Sequence, residues 1–300
     1  YNQAYLNSYY GYGGSYNYGY NDVSSYYDPD KSVQMFGLSV GWGKRLRWPD
    51  DYFTLSADLS YQRYILKEWR YFPVQNGKCN NLSLNLTLAR SSVDNPIFPR
   101  SGSEFALSLQ ITPPYSLFDG VDYSKYDLNN QNDIDKMHKW VEYHKWKFKS
   151  KMYVPFIDGI KKTPVLMSRV EFGLLGHYNK YKRSPFETFE VGGDGMTGYS
   201  YGYATETIAL RGYENASLTP YGGWEGYAYT RIAFELRYPL ILESSTSIYA
   251  LTFLEAGNAW NEVKNFNPFD LKRSAGVGVR IFLPMIGMMG IDWAYGFDKV

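Results

Sequence analysis

The sequence contains one short motif that could place a nucleophile, Gly198-Tyr199-Ser200-Tyr201-Gly202, which matches the G-x-S-x-G pattern. In that motif the serine lies on a turn between a strand and a helix, and an acid and then a histidine follow it in the chain. The three histidines, at positions 138, 144 and 177, all precede Ser200. We therefore interpret the motif as part of a Gly- and Tyr-rich loop, and we expect no catalytic residue and no enzymatic activity.

Two segments contain side chains that bind metal ions, but neither has the spacing of a metal site. Residues 127–135 are rich in Asp and Asn, yet they lack the central Gly and the closing Glu of an EF-hand loop. His138 and His144 have no cysteine near them, and the single Cys79 cannot form an internal disulfide. The sequence therefore predicts no metal site and no cofactor, and 127–135 is interpreted as a solvated outer loop.

A long connection, residues 179–225, has the most informative polar residues. Gly192, Gly193 and Gly195 precede the run Leu210-Arg211-Gly212-Tyr213. Loops of this length without secondary structure are usually functional or disordered, and glycine allows a close approach of the backbone to other elements. If the loop folds back into a lumen, Arg211 can meet carboxylates there; the alternative is a solvent-exposed arginine in a mobile loop.

Ten segments with alternating apolar and polar residues must position this loop. Such alternation predicts strands, and no long segment has the period of a helix. Several of the strands exceed the ordinary length of roughly 5–6 residues and reach the roughly 9–11 that a tilted membrane strand needs. The predicted strands are 33–43, 52–66, 80–93, 103–113, 143–154, 164–178, 226–241, 246–258, 272–283 and 286–298.

The connections between the predicted strands are alternately short and long. Outer-membrane barrels have this asymmetry, with short periplasmic turns and long outer loops. The polar face of the strands also has many charged side chains, which a wet lumen accommodates more easily than a dry core. The sequence therefore predicts an all-β fold, an antiparallel transmembrane β-barrel. The long connections are 67–79, 114–142, 179–225 and 259–271.

The composition agrees with a barrel and argues against nucleic-acid binding. Lys and Arg number 31 against 30 Asp and Glu, so there is no basic excess to attract phosphates. Aromatic residues make up 19% of the chain, and Tyr and Trp favour the boundary between lipid and water. Residues 1–32, rich in Tyr, Gly and Asn, are predicted to be an outer loop with some strand character at its start; a low-complexity tail is the alternative. The first residue is not Met, so we expect a piece of a longer protein or a trimmed mature chain.

Four segments resemble motifs of the BamA family of outer-membrane protein assembly factors, which belongs to the bacterial surface antigen and two-partner-secretion barrel superfamily. The four segments occur along the chain in the same order as in that family. Residues 189–193 leading to 210–213 resemble the sixth outer loop, with its R-G-[FY] signature. Residues 94–103 are similar to an F-P-T-x-G turn, with Arg100 in place of Thr. Residues 253–260 resemble F-x-D-x-G-x-x-W, with Glu255 in place of Asp, and 274–287 resembles the penultimate hairpin.

The resemblance implies a 16-stranded barrel of which residues 33–298 supply about ten strands, the sixth to the fifteenth, with 179–225 as the loop inside the lumen. The signature Arg211, Gly212 and Tyr213 would lie in that loop, and Arg211 would contact Glu235 and Glu255. The alternation of 226–241 places Glu235 on the polar face. The inward placement of Glu255 depends on the resemblance.

The resemblance also implies a function without covalent chemistry, the folding and insertion of β-barrel proteins into the outer membrane of Gram-negative bacteria. In this family the barrel is a multi-pass outer-membrane protein and the central subunit of an assembly complex. The implied partners are unfolded barrel clients, periplasmic accessory lipoproteins, the protein's own POTRA domains, the lipid bilayer and lipopolysaccharide. The alternatives are a two-partner-secretion transporter, a porin-like passive channel, and a surface-adhesion or structural barrel.

Overall fold

The computed structural model describes residues 2–14, 31–69, 72–160, 162–194, 206–220, 225–243 and 246–299, with side chains described from residue 31 onward. Eleven strands form one sheet in which each strand is antiparallel to its neighbours. They are β1 (Asn2–Gly14), β2 (Ser32–Arg45), β3 (Phe53–Lys67), β4 (Gly77–Ser91), β5 (Gly102–Ile111), β6 (His144–Pro155), β7 (Val165–Gly176), β10 (Ala228–Leu242), β11 (Ser247–Trp260), β12 (Lys272–Leu283) and β13 (Gly287–Gly296).

Two short strands, β8 (Phe189–Val191) and β9 (Glu206–Ile208), pair in parallel within the connection from β7 to β10. Among the described residues, the named helical segments are α1 (Gln131–Met137) and three 3-10 turns at Tyr115–Leu117, Tyr123–Lys125 and Val263–Asn265. No helix in the described part of the chain is both long and apolar enough to cross a membrane.

The prediction of an all-β, antiparallel fold is confirmed, because each of the ten predicted strands overlaps one strand of the large sheet. The order of strands in the sheet is the order in the chain, apart from the two short strands of the loop. β1 and β13 are the two edge strands of the sheet. Within the described residues no hydrogen-bonded ladder joins them, so the sheet is an open part of a barrel.

The strand character predicted at the start of residues 1–32 extends further than expected, because residues 2–14 form the full-length strand β1. This strand pairs with β2 from Asn2 opposite Lys44 to Gly14 opposite Ser32. A composition rich in Tyr, Gly and Asn resembles that of a loop, but tyrosine also favours strands, and β2 supplies backbone partners along the whole segment. Residues 15–30 lie outside the described part of the chain.

The strands of the large sheet from β2 onward have one apolar outer face and one polar inner face. On β10, Phe234, Leu236 and Tyr238 are exposed, whereas Glu235 and Arg237 between them are buried. Side chains that alternate along a strand point to opposite faces, so this pattern separates an outer from an inner surface. Other exposed apolar side chains on the same outer face lie on β2 and on β11 to β13, and they are Phe36, Leu38, Val40, Trp42, Leu254, Val277, Val279, Ile291 and Trp293.

The connections lie at two ends of the sheet, because the strands alternate in direction. One end has the connections 15–31, 68–76, 112–143, 177–227 and 261–271, and the other has 46–52, 92–101, 156–164, 243–246 and 284–286. The predicted alternation of long and short connections holds except at 68–76, which is no longer than 92–101 because β4 begins at Gly77, earlier than predicted. We call the second group the short-connection end.

Candidate functional site

The described parts of the connection 177–227, which are residues 177–194, 206–220 and 225–227, lie against the inner face of the sheet. After the parallel pairing of β8 with β9, the backbone continues as an antiparallel bridge between Gly193 and Leu210. The Gly192 N–H donates to Ile208 O at 3.0 Å, and the Leu210 N–H donates to Gly193 O at 3.0 Å. Ile208 and Leu210 are buried in one apolar cluster with side chains of the inner face, including Tyr229 of β10. This folded base holds the run 210–213 in a defined position.

Two of the predicted loop glycines have backbone conformations that suit only glycine. Gly192 has φ +130° and Gly193 has φ +77°. A Cβ on Gly192 would lie 2.3 Å from Glu214 O, and one on Gly193 would lie 1.6 Å from Asn215 Oδ1. Any other residue would therefore add both strain and a clash. Gly195 lies outside the described residues.

Arg211 lies beside both carboxylates that the sequence analysis named as its partners. Its Nη2 is 2.6 Å from Glu235 Oε1 on β10 and 2.6 Å from Glu255 Oε1 on β11. The Arg211 Nε donates to the same Glu255 oxygen at 3.1 Å, and the Arg211 backbone N–H donates to Glu255 Oε2 at 2.9 Å. One guanidinium thus connects the loop to two neighbouring strands.

The guanidinium has two further contacts that the sequence analysis missed. Its Nη1 lies 3.3 Å from Asp292 Oδ2 on β13, and its Cζ lies 3.5 Å from the centre of the Phe253 ring on β11. The alternation of β13 does place Asp292 on the polar face, so that signal was present in the sequence. Nothing in the sequence indicated that this strand would reach Arg211.

Each of the three carboxylates also has a second arginine. Arg231 Nη2 donates to Glu255 Oε1 at 2.8 Å, Arg237 Nη2 donates to Glu235 Oε2 at 2.6 Å, and Arg280 Nη1 donates to Asp292 Oδ1 at 2.6 Å. Arg231 Nη1 is also 3.6 Å from Glu171 on β7. We call this group the Arg211 cluster; its members are Arg211, Arg231, Arg237, Arg280, Glu171, Glu235, Glu255 and Asp292.

The Arg211 cluster contains equal numbers of cationic and acidic side chains, and most of them are buried. Only 3% of Glu255 and 5% of Glu235 is exposed. Buried charges are tolerated when each has partners and hydrogen bonds, and removal of one partner is costly. Burial by itself would lower the pKa of Arg211, but the bonds to Glu255 and Glu235 raise it above its usual value, so the side chain stays charged.

Gly212 and Tyr213 connect the same turn to the last two strands. Gly212 has φ +92°, and a Cβ there would lie 2.9 Å from both Gly296 N and the carbonyl carbon of Tyr295. The Tyr213 hydroxyl donates to Arg273 O on β12 at 2.7 Å. In the R-G-Y run, therefore, the arginine contributes charge, the glycine permits close approach to β13, and the tyrosine bonds the backbone of β12.

A second group of charges connects the base of the loop to β6, and the sequence analysis missed it. Four lysines alternate along the inner face of β6, and we call them the lysine row: Lys145, Lys147, Lys149 and Lys151. Glu206 of β9 lies 3.4 Å from Lys145, 2.9 Å from Lys147 and 3.2 Å from Lys149, while Glu187 lies 2.9 Å from Lys145. Burial would raise the pKa of Glu206, but the lysines lower it to about 2.

The histidines, the Asp- and Asn-rich segment and the cysteine considered as possible metal ligands are held in place by contacts within the protein. His138 Nδ1 lies 2.8 Å from Ile134 O and its Nε2 lies 2.9 Å from Arg183 O, so both ring nitrogens contact backbone carbonyls and not a shared site with His144. The segment 127–135 leads into α1, whose first turn is capped by the side chain of Asn130. Cys79 is buried and unpaired. Residues 198–202 lie outside the described part of the chain.

Comparison with known proteins identifies the family. The model of the Omp85 superfamily domain matches residues 3–300. Among solved structures, the chain is similar to BamA from Haemophilus ducreyi lacking POTRA domains 1–3, with a TM-score of 0.62 and 16% identity. The match covers 100% of this chain and 58% of that one, and no curated protein gives a sequence match. The chain therefore belongs to the Omp85 superfamily and has a BamA-like barrel fold.

Proposed function

We propose that this chain is the barrel region of an outer-membrane protein insertase, which folds and inserts β-barrel proteins as the central subunit of an assembly complex. As a member of the Omp85 superfamily, the chain is a barrel of the insertase or transporter type. The observation that supports the insertase best is the loop that the Arg211 cluster holds against β10, β11 and β13.

The Arg211 cluster links the loop to several strands at once. Contacts to strands β10 to β13 let a change in the strands alter the loop, and a change in the loop alter the strands. The Omp85 match, and not the cluster by itself, favours a member of the insertase or transporter type over a passive channel. We therefore favour an activity in which the barrel changes its conformation during the passage or folding of another protein.

The outer surface supports a place in the bacterial outer membrane. Exposed apolar side chains on β2 and β10 to β13 form an extended face, which is typical of surfaces that contact lipid or another protein. The proposed activity makes and breaks no covalent bond, so it requires neither catalytic residues nor a cofactor. Unfolded barrel proteins would be its clients, and POTRA domains and periplasmic lipoproteins its partners.

Reconstitution tests this proposal. The full-length protein that contains this chain is placed in liposomes, and a urea-denatured outer-membrane barrel protein is added from outside. Folding of the client is followed by heat-modifiable mobility on gels and by protease protection. We expect faster folding than in empty liposomes, and a slower rate with Arg211→Ala than with the matched control Lys125→Ala. Lys125 is a suitable control because it is highly exposed and its one ion pair among the described residues is with Asp122.

Three outcomes would contradict the insertase. If folding is no faster than in empty liposomes, the activity is absent. If a soluble exoprotein accumulates inside the liposomes while barrel clients remain unfolded, the protein is a secretion transporter. If small dyes leak freely while neither kind of client is handled, the barrel is a passive channel.

A further inference from the structure

The lysine row has fewer carboxylate partners towards the short-connection end of the barrel than near the loop. Lys145, Lys147 and Lys149 share Glu206, and Lys145 also pairs with Glu187. The loop contacts no lysine beyond Lys149 in these pairings. Lys151 instead pairs with Glu104 of β5, at 2.7 Å. The carboxylates of the loop thus neutralise only the part of the lysine row from Lys145 to Lys149.

A cavity of about 720 Å³ lies beside this part of the row. Small side chains on the inner faces of β3 to β5 leave the space open: Thr54, Ala89 and Ala106. Arg45 at the end of β2 and Arg169 on β7 line other parts of the wall. Because Arg45 ends its strand next to the connection 46–52, the cavity lies towards the short-connection end, away from Gly212 and Tyr213.

The wall of this cavity has an excess of positive charge. Its cationic residues are Arg45, Arg90, Lys149, Lys151 and Arg169, and its acidic residues are Asp51, Glu104 and Glu171. Carboxylates outside this wall take up two of these cations, because Asp50 pairs with Arg90 at 2.9 Å and Glu206 pairs with Lys149 at 3.2 Å. Glu171 in turn also serves Arg231, at 3.6 Å, so Arg45 and Arg169 are the wall cations with the least carboxylate compensation.

Two of the arginines have no close carboxylate among the described residues. The nearest carboxylate oxygen to Arg169 is Glu171 Oε1, at 3.9 Å, and the buried Arg169 Nε has no hydrogen-bond acceptor. The Arg45 guanidinium bonds only a backbone carbonyl, that of Asp51. A buried donor without an acceptor costs free energy, which an incoming anionic group would recover.

We propose that this cavity binds a short acidic peptide segment, with its carboxylates at Arg169, Arg45 and the end of the lysine row. The volume lies in the range of roughly 300–1,000 Å³ that holds drug-sized ligands, so the site exceeds the needs of one small anion. Arginine offers carboxylates a planar pair of donors, and the cationic groups stand on three separate strands, which suits a segment with several carboxylates. This site shares Glu171 with the Arg211 cluster but does not include Arg211, and it does not depend on the insertase activity.

Fluorescence polarisation tests the proposal with the full-length protein in detergent micelles at low salt. The probe is fluorescein-labelled tetraglutamate, and the matched control peptide is tetraglutamine. We expect tetraglutamate to bind at least about tenfold more tightly than tetraglutamine, and Arg169→Gln to weaken it roughly tenfold, the value of one lost charge-assisted hydrogen bond. Lys264→Gln, an exposed change at the opposite end, should leave the affinity unchanged.

A second variant keeps the test valid if Arg169→Gln fails to fold. Arg45→Gln lies at an exposed strand end, so the barrel should tolerate it, and it should also weaken the binding of tetraglutamate. Equal affinity for the two peptides would overturn the proposal, as would unchanged binding in both arginine variants. If inorganic phosphate displaces the peptide as efficiently as unlabelled tetraglutamate does, the cavity is a site for simple anions and the peptide assignment is wrong.

Discussion

Replacement of Arg211 by alanine should release the loop from the strands. The change removes the Nε and Nη2 bonds to Glu255, the Nη2 bond to Glu235, the Nη1 contact with Asp292 and the stacking on Phe253. The Arg211 backbone N–H keeps its bond to Glu255 because alanine retains that group. The loss therefore concerns the guanidinium alone.

The magnitude follows from what remains around the carboxylates. Removal of one partner from a buried ion pair costs about 3–5 kcal/mol when the other charge is left alone. Here Glu255 keeps Arg231, Glu235 keeps Arg237 and Asp292 keeps Arg280, so no acid is left without a cation. This excludes the upper end of the range, but several ion-pair contacts and the stacking on Phe253 are lost together. We therefore expect about 3 kcal/mol, which corresponds to roughly a hundredfold shift in the docking equilibrium of the loop.

Hydrogen exchange measured by mass spectrometry is the assay, on the full-length protein in detergent micelles. The Leu210 amide, which donates to Gly193 O, reports whether the loop is docked. Local opening that becomes about a hundredfold more favourable should speed exchange in residues 206–220 by a similar factor. Lys264→Ala serves as the control because its side chain is exposed.

Lysine at position 211 provides a sharper comparison than alanine. Lysine keeps the positive charge, but its single ammonium group cannot bridge Glu235, Glu255 and Asp292 while it lies over Phe253. We expect an intermediate effect, with exchange about tenfold faster than in the unchanged protein. The reasoning is wrong if Arg211→Ala alters exchange less than about threefold, or if Arg211→Lys behaves as the unchanged protein does.

Three further predictions concern the loop and the topology. Gly212→Ala should undock the loop, whereas the control Gly287→Ala should have a smaller effect on its own turn, because φ is +92° and +91° at the two sites but only Gly212 has close neighbours. Hydrogen exchange and thermal melting of both variants check this, and equal effects would contradict it. The docking of Glu206 on the lysine row should lose up to about 3 kcal/mol of free energy as the pH falls from about 4.5 towards 2, because the pKa of Glu206 is about 2 when docked and near its usual value when free. Hydrogen exchange of the loop measured as a function of pH checks this, and the same pH dependence in Glu206→Gln would contradict it. In intact cells a membrane-impermeant maleimide should label Leu128→Cys but not Ile157→Cys, two similarly exposed sites at opposite ends, and equal labelling of both would refute the topology.

The fold was largely predictable from the sequence, because the alternation along a strand is a local property. Every predicted strand from 33–43 to 286–298 overlaps an observed one. Strand β1 was the exception: its composition resembles that of a loop, and its structure depends on pairing with β2, which lies beyond residues 15–31 in the chain. Pairing between segments is decided by the rest of the sheet, and alternation within one segment does not reveal it.

The Arg211 site was predictable only in part, for the same physical reason. The sequence alone placed Glu235 on the polar face and made Arg211 a candidate to meet it, while Glu255 came from a family resemblance. The tertiary structure decided that Asp292, which is 81 residues away, shares the guanidinium, and that Glu206 meets the lysine row. Contacts across a lumen depend on the curvature of the sheet and the path of the loop, and these arise from many distant pairings, so no local pattern in the sequence encodes them.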